Sequence, residues 1–191
     1  MTNSKTIYQL KISLRDIRPP IWRRVQVESS TTLSQLHLII QAAMGWYNCH
    51  LHSFSIQGIE YGKPDPDYGL DLRDENKAKL SSLIKQEKSK FSYTYDFGDS
   101  WSHSILVEKI LPQEPKVSYP LCLKAKRACP PEDCGGAWGY IEFLEAIQDP
   151  THPEHENFQE WIEGNFDSEF YDLQEINQRL NDFESLAQQY L

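Results

Sequence analysis

The chain has 191 residues, 39% of them apolar and 12% aromatic, and a formal net charge of -9, which suits one globular core and excludes a disordered or fibrous chain. The acid excess argues against broad electrostatic capture of nucleic acid or an anionic membrane, since that needs surplus Lys and Arg. No apolar run reaches the roughly 18 residues of a membrane span, and "MTNSKTIYQL" lacks the order of an export signal.

A cytoplasmic protein without membrane contact is expected. Tyr8, Leu10, Ile12 and Leu14 alternate with polar residues, and Ile21, Val25 and Val27 resume that period after Arg18-Pro19-Pro20, which predicts an antiparallel strand pair. Thr32 and Gln35 have capping-box spacing ahead of a helical stripe of Leu36, Ile39, Ile40, Ala43 and Met44, and Gly45 is the stop. His52, Phe54 and Ile56 predict a strand, "YGKPDPDYGLDLRDEN" an acidic surface loop, and Leu80, Leu83 and Ile84 a short helix. Phe91, Tyr93, Tyr95 and Phe97 lead into Gly98-Asp99, read as a two-residue hairpin turn, with residues 101–108 running back.

Residues 111–137 then read as a Cys/Pro/Gly connection, followed by three helices: one with Tyr140, Phe143, Leu144 and Ile147, one capped by Thr151 with Glu154, and one opened by Asp172 with Glu175. Strands first and helices last predict a single α+β domain. Its sheet-rich half, 1–110, is expected to be mainly antiparallel, a β-grasp-like roll in the order ββαβ then a hairpin, with 138–191 as the helical half. The expected core is Tyr8, Leu10, Ile12, Val25, Leu36, Ile40, Phe54, Ile105, Phe143 and Trp161.

Three stretches carry residues suited to chemistry. In "YDFGDSWSH" a two-residue turn would set Asp96 and His103 on one face as diagonal neighbours, so that with Asp99 they could activate or hold a water; a loop longer by one residue would part them. The opposing reading is a turn Asp and a packed His. In "CHLH", His50 and His52 project to one side if both lie in a strand, a pattern for a shared metal, although His52 also continues the apolar face of Phe54. In "CPPEDCGG", Cys129 and Cys134, with Cys122 upstream, have spacing a zinc clip can use, with His103, His50 or His52 completing the set. Two further readings stay open there: a turn with buried thiols, and a Cys134 thiolate stabilised by a helix N-terminus. No cofactor is certain; zinc is the one the residues suggest. Arg15, Arg18, Arg23 and Arg24 form a local basic cluster suited to a binding surface.

The segments "IRPPIWRRVQVESSTTLSQLHLIIQAAMGW", "HLHSF", "YDFGDSWSH", "YPLCLKAKRACPPEDCGG" and "DPTHPEHE" follow one another over nearly the whole chain. They resemble the plasmid pRiA4b Orf-three-like domain family, with Ala125 where that family often has Gly. The resemblance implies an α+β fold and a cytoplasmic microbial protein, carried in some cases on plasmids or beside transposase genes. It assigns no activity and no site residue. Two functions follow as expectations. The first is a non-enzymatic binding or interaction module linked to mobile-element or nucleic-acid biology, with a protein or nucleic-acid partner. The second is a metal-assisted hydrolase built on the hairpin. The sequence has no P-loop, no G-x-S-x-G elbow and no H-E-x-x-H.

Overall fold

The computed structural model describes residues 6–64, 71–162 and 164–188. The first alternating segments become β1 (Thr6–Leu14) and β2 (Trp22–Glu28), paired antiparallel with Leu10 opposite Val25. Helix α1 (Leu33–Met44) begins with both halves of the Thr32/Gln35 capping box in place and ends at Gly45, whose φ of 99° is accessible to glycine at little steric cost. The chain continues through β3 (His52–Ile56), β4 (Ile59–Gly62), β5 (Arg73–Asp74), α2 (Leu80–Leu83), β6 (Lys90–Tyr95), β7 (Trp101–Pro112) and β8 (Leu121–Lys126). Helices α3 (Gly136–Gln148), α4 (His155–Trp161) and α5 (Leu173–Asn181) complete it.

The eight strands form one sheet in the order β5-β4-β3-β6-β7-β1-β2-β8. Every pairing is antiparallel except β4 with β5. This is the expected α+β class with a mainly antiparallel sheet. The strand order, with β1 antiparallel to both β2 and β7, is not established as that of a β-grasp.

The interior is built from the alternating faces. Nine of the ten expected core residues are buried, from Tyr8 to Phe143, whereas Trp161 is 42% exposed. Trp161 departs as the last residue of α4, where its ring meets Phe143 and Phe158 edge-on and is otherwise open. The helix also starts later than the capping pattern suggests, since Thr151 donates its amide and hydroxyl to Asp149 Oδ1 and α4 opens at His155 with no side-chain cap. The stretch read as a connection also supplies β8, an edge strand on β2. Its alternation is hidden by Lys124 and Lys126 and by a register shift between Arg24 and Val25. Strands β4 and β5 stand at the two ends of the expected acidic loop, whose residues 65–70 lie outside the described residues.

The hairpin differs in the way that matters most. Tyr95 pairs with Trp101 and Tyr93 with His103, so the loop is the five residues 96–100 rather than Gly98-Asp99 alone. Asp96 and Ser100 take positive φ of 55° and 58°, and the Ser100 amide donates to the Asp96 carbonyl at 2.6 Å. This pairing sets Trp101 and His103 of β7 on the same face as Tyr93 and Tyr95 of β6. Tyr93, Tyr95, Trp101 and His103 now all enter the core, and Asp96 leaves the sheet.

His103 is completely buried, 5.5 Å from the Trp46 ring and 5.2 Å from that of Tyr93. Its Nδ1 donates to the Trp101 carbonyl at 2.9 Å, so Nε2 holds the lone pair, and Nε2 has no partner among the described residues. Burial pushes its pKa down to about 4. In the unfolded chain the ring titrates near 6.5. Between these values the unfolded state binds more protons, so His103's contribution to stability is complete above about 6.5 and is lost as pH falls towards 4. The penalty is about 3 kcal/mol. Urea unfolding of the wild type should therefore show stability falling on acidification across that window. His103→Phe should flatten part of the slope; an unchanged slope would show that His103 is not buried neutral.

Candidate functional site

The three stretches singled out by sequence meet at one end of the sheet, but through other atoms than expected. The organising side chain is Trp46, directly after the α1 stop. Its ring packs on Tyr95 with centroids 5.0 Å apart and approaches Trp101 at 5.9 Å, while Nε1 donates to the Pro130 carbonyl at 2.9 Å. The end of α1, the hairpin and the cysteine segment are thereby held together.

The cysteine segment also docks on the hairpin loop. Gly135 N–H donates to Asp99 Oδ2 at 3.0 Å, and a Cβ on Gly136 would stand 2.4 Å from the Asp99 carbonyl oxygen. Only glycine permits that approach. Asp99 is thus an anchor for the start of α3.

Beyond Trp46, residues 47–52 are set by a closed ring of hydrogen bonds. Asn48 N–H donates to Gln41 Oε1 at 3.0 Å, Gln41 Nε2 donates to Tyr93 Oη at 3.1 Å, and Tyr93 Oη lies 2.8 Å from His37 Nδ1. His37 Nε2 is 2.7 Å from Asn48 Oδ1, while Asn48 Nδ2 donates to the Leu186 carbonyl at 3.1 Å. The Leu186 carbonyl requires the Asn48 amide nitrogen, so Oδ1 must accept and His37 must carry its proton on Nε2. The Tyr93 hydroxyl then donates to Nδ1. Burial, then the neighbouring His52, holds the His37 pKa well below its usual value, in keeping with this neutral tautomer. The ring holds Asn48 at a φ of 61°, a conformation that Asn tolerates better than most residues.

From this support His50 projects towards the two loops. His50 Nε2 lies 2.9 Å from Asp133 Oδ1 and 3.7 Å from Asp96 Oδ2. It is buried, yet aligned for a hydrogen bond with neither carboxylate. One ligand atom from each of the three residues lies within 4.8 Å of the other two, and no further such His/Cys/Asp/Glu group is found among the described residues. Asp96 is held by its Oδ1, which accepts from Gly98 N–H at 2.8 Å, and by its amide, which donates to the Leu51 carbonyl. Asp133, like Asp96, has a positive φ, 57°.

Glu132 lies against the same cluster. Its Oε1 accepts from Tyr47 N–H at 2.8 Å and from the Tyr95 hydroxyl at 3.0 Å, and Oε2 is buried without a partner among the described residues. Burial raises its pKa. One imidazole and two carboxylates form a donor set that suits zinc, manganese or iron(II).

Several sequence expectations need correction. Asp96 meets His50, not His103, because the longer loop changes the pairing. His50 and His52 do not face one ion: β3 starts only at His52, whose ring stacks on His37 at 3.4 Å and whose Nε2 lies 2.8 Å from Glu75 Oε2. Cys122, Cys129 and Cys134 form no three-ligand group with His103, His50 or His52 among the described residues. Their thiols are also disfavoured as thiolates. Burial raises all three, Cys129 to about 12, and the Asp99 carboxylate adds to the rise at Cys134, outweighing the helix start beside it.

The arginine cluster is likewise dispersed. Arg15 and Arg18 are exposed, but Arg23 is 2% exposed, with Nε on the Ala43 carbonyl and Nη1 on those of Trp22, Lys126 and Arg127. Arg24 forks onto Glu108 at 2.6 and 2.8 Å. Two of the four are therefore paired within the protein, Arg23 in the interior and Arg24 half-buried at the surface. Asp133, Glu132, Asn48 and Glu75 were missed by sequence reasoning, which looked in "CPPEDCGG" to the cysteines. The only local signal was an Asp at a turn position open to positive φ.

The thiol assignments can be checked with a cysteine-reactive dye at neutral pH. Exposed Cys49 should label quickly in the native protein, the other three only on unfolding. Rapid native labelling that survives Cys49→Ser would contradict this.

Residues 6–175 match the family model described as Plasmid pRiA4b ORF-3-like protein. The uncharacterized protein y4hQ of Sinorhizobium fredii (strain NBRC 101917 / NGR234) is 39% identical over 179 residues, covering 93% of this chain and 92% of that protein. The crystal structure of MM3350 from Methanosarcina mazei Go1, a protein of unknown function, is similar with a TM-score of 0.82 and 42% identity, over 89% of this chain and 97% of that one. With its segments in order on a shared fold, the chain belongs to the plasmid pRiA4b ORF-3-like family.

Proposed function

We propose that this protein carries a divalent-cation centre at His50, Asp96 and Asp133 and that it uses the ion for metal-assisted hydrolysis. The observation that carries the reading is the His50 nitrogen: close to two carboxylate oxygens, buried, and aimed at neither for a hydrogen bond. Head-on ion pairs do not have that geometry; ligands arranged around a shared point do. Three protein ligands leave coordination positions for water and substrate, the pattern of catalytic rather than structural sites. Asp133, with its side chain 66% exposed, leaves one flank open.

The ion's part is to lower the pKa of a bound water and polarise the group it attacks. The part of the chain's own residues is to hold the ion and exclude bulk water from the Tyr95 side. The interaction-module reading, with its link to mobile-element or nucleic-acid biology, drew on the family resemblance and on the arginine cluster; two of those arginines are paired within the protein, which favours the metal reading. No helix among the described residues is long and apolar enough to cross a membrane.

Titration of metal-stripped protein with Mn2+ or Zn2+, followed calorimetrically, should give one saturable site. Asp133→Asn, a change at an exposed side chain, should weaken it by roughly a hundredfold, and Cys129→Ser with Cys134→Ser should leave it intact. Absence of saturable binding, or binding indifferent to Asp133→Asn, would sink the reading.

A further inference from the structure

Beside the cation cluster lies a cleft of about 350 Å³, lined among others by Ser34, His37, His50, His52, Lys63 and Glu75. That volume is in the range of small-ligand pockets. His50 belongs both to this cleft and to the cation cluster, so a ligand in the cleft borders the ion.

The charges lining the cleft indicate what it would take. Glu75 is only 4% exposed and its Oε2 lies 2.8 Å from His52 Nε2, so this oxygen already has a partner in the cleft wall. Lys63 is exposed and has no carboxylate partner among the described residues. Asp96 and Asp133 do not line the cleft; they border it through His50, and their charges would be balanced by the dication. An occupant would thus have the ion at His50 and the ammonium of Lys63 along its border. The stacked His37 and His52 rings, with Leu38 and Leu51, line the cleft with flat and apolar surface, and Ser34 adds a hydroxyl.

We infer that the cleft binds a small phosphate ester whose phosphoryl oxygens are shared between the cation at His50, Asp96 and Asp133 and the ammonium of Lys63. The inference rests on the metal centre proposed above and adds its substrate class. A tetrahedral oxyanion has enough oxygens to reach both charges at once, which a planar carboxylate does less well. In the hydrolysis this arrangement serves, the oxygen of the ion-bound water forms a bond to phosphorus. The ester P–O bond breaks, its electron pair leaves with the alcohol oxygen, and that oxygen takes up the proton released by the water.

The test uses full-length protein loaded with Mn2+, whose bound water enhances proton relaxation. Inorganic phosphate, and then phenyl phosphate, should lower the enhancement saturably by displacing that water. Lys63→Met should require roughly tenfold more phosphate, the loss of one charge-assisted contact, with Mn2+ affinity unchanged. If Mn2+ binds but phosphate leaves the signal unchanged, if acetate acts as strongly, or if Lys63→Met titrates like the wild type, the phosphate assignment is overturned while the metal centre stands. Failure of Mn2+ to bind would overturn both.

Discussion

The contact on which the rest of this end of the molecule depends is that of the Trp46 indole. One residue past the helix stop, it packs against Tyr95 of the hairpin and donates its only N–H to Pro130 of the cysteine segment. A large aromatic surface with a single directional bond can join three chain segments in this way, since the apolar faces supply attraction and the N–H sets orientation. Residues 47–52, 96–100 and 129–136 are distant in sequence, yet they are held together around this ring. His50, Asp96 and Asp133 are carried by those same segments, one each.

Precision beyond that contact comes from polar groups satisfied in closed sets. The ring through Gln41, Tyr93, His37 and Asn48 leaves each member one workable hydrogen-bonding role, so the imidazole tautomer follows from the geometry. Buried polar networks of this kind stabilise only when complete. Against that background the few unsatisfied atoms stand out. His103 Nε2 lies in the aromatic core, where its lone pair bears on pH stability; His50 Nε2 and Glu132 Oε2 lie where the loops converge, where unpaired polar atoms suit a ligand.

The fold was legible where local signals were strong. The Thr32/Gln35 box and Gly45 bounded α1, Asp172 capped α5, and the alternation from Tyr8 to Leu14 marked β1, because each rests on neighbours within a few residues. Legibility failed where a choice depended on a distant partner. Strand β8 pairs with β2 across a register shift, and its lysines disguise its alternation. Trp161 looked like core by spacing, but it is the last residue of its helix and meets Phe143 and Phe158 only edge-on.

The candidate site illustrates the same division most sharply. By itself the sequence determined the class of fold and the three stretches in which chemistry would be sought, since composition, periodicity and turn residues are local properties, and the resemblance of its segments gave the family. The tertiary structure decided which atoms meet. A five-residue loop where Gly98-Asp99 had suggested two sent His103 into the core and Asp96 outward, and docking of Gly135 and Gly136 on Asp99 brought Asp133 to His50 while the cysteines turned inside. Register parity and the close approach of segments far apart in the chain arise from packing, and packing is a property of the whole fold rather than of any stretch within it.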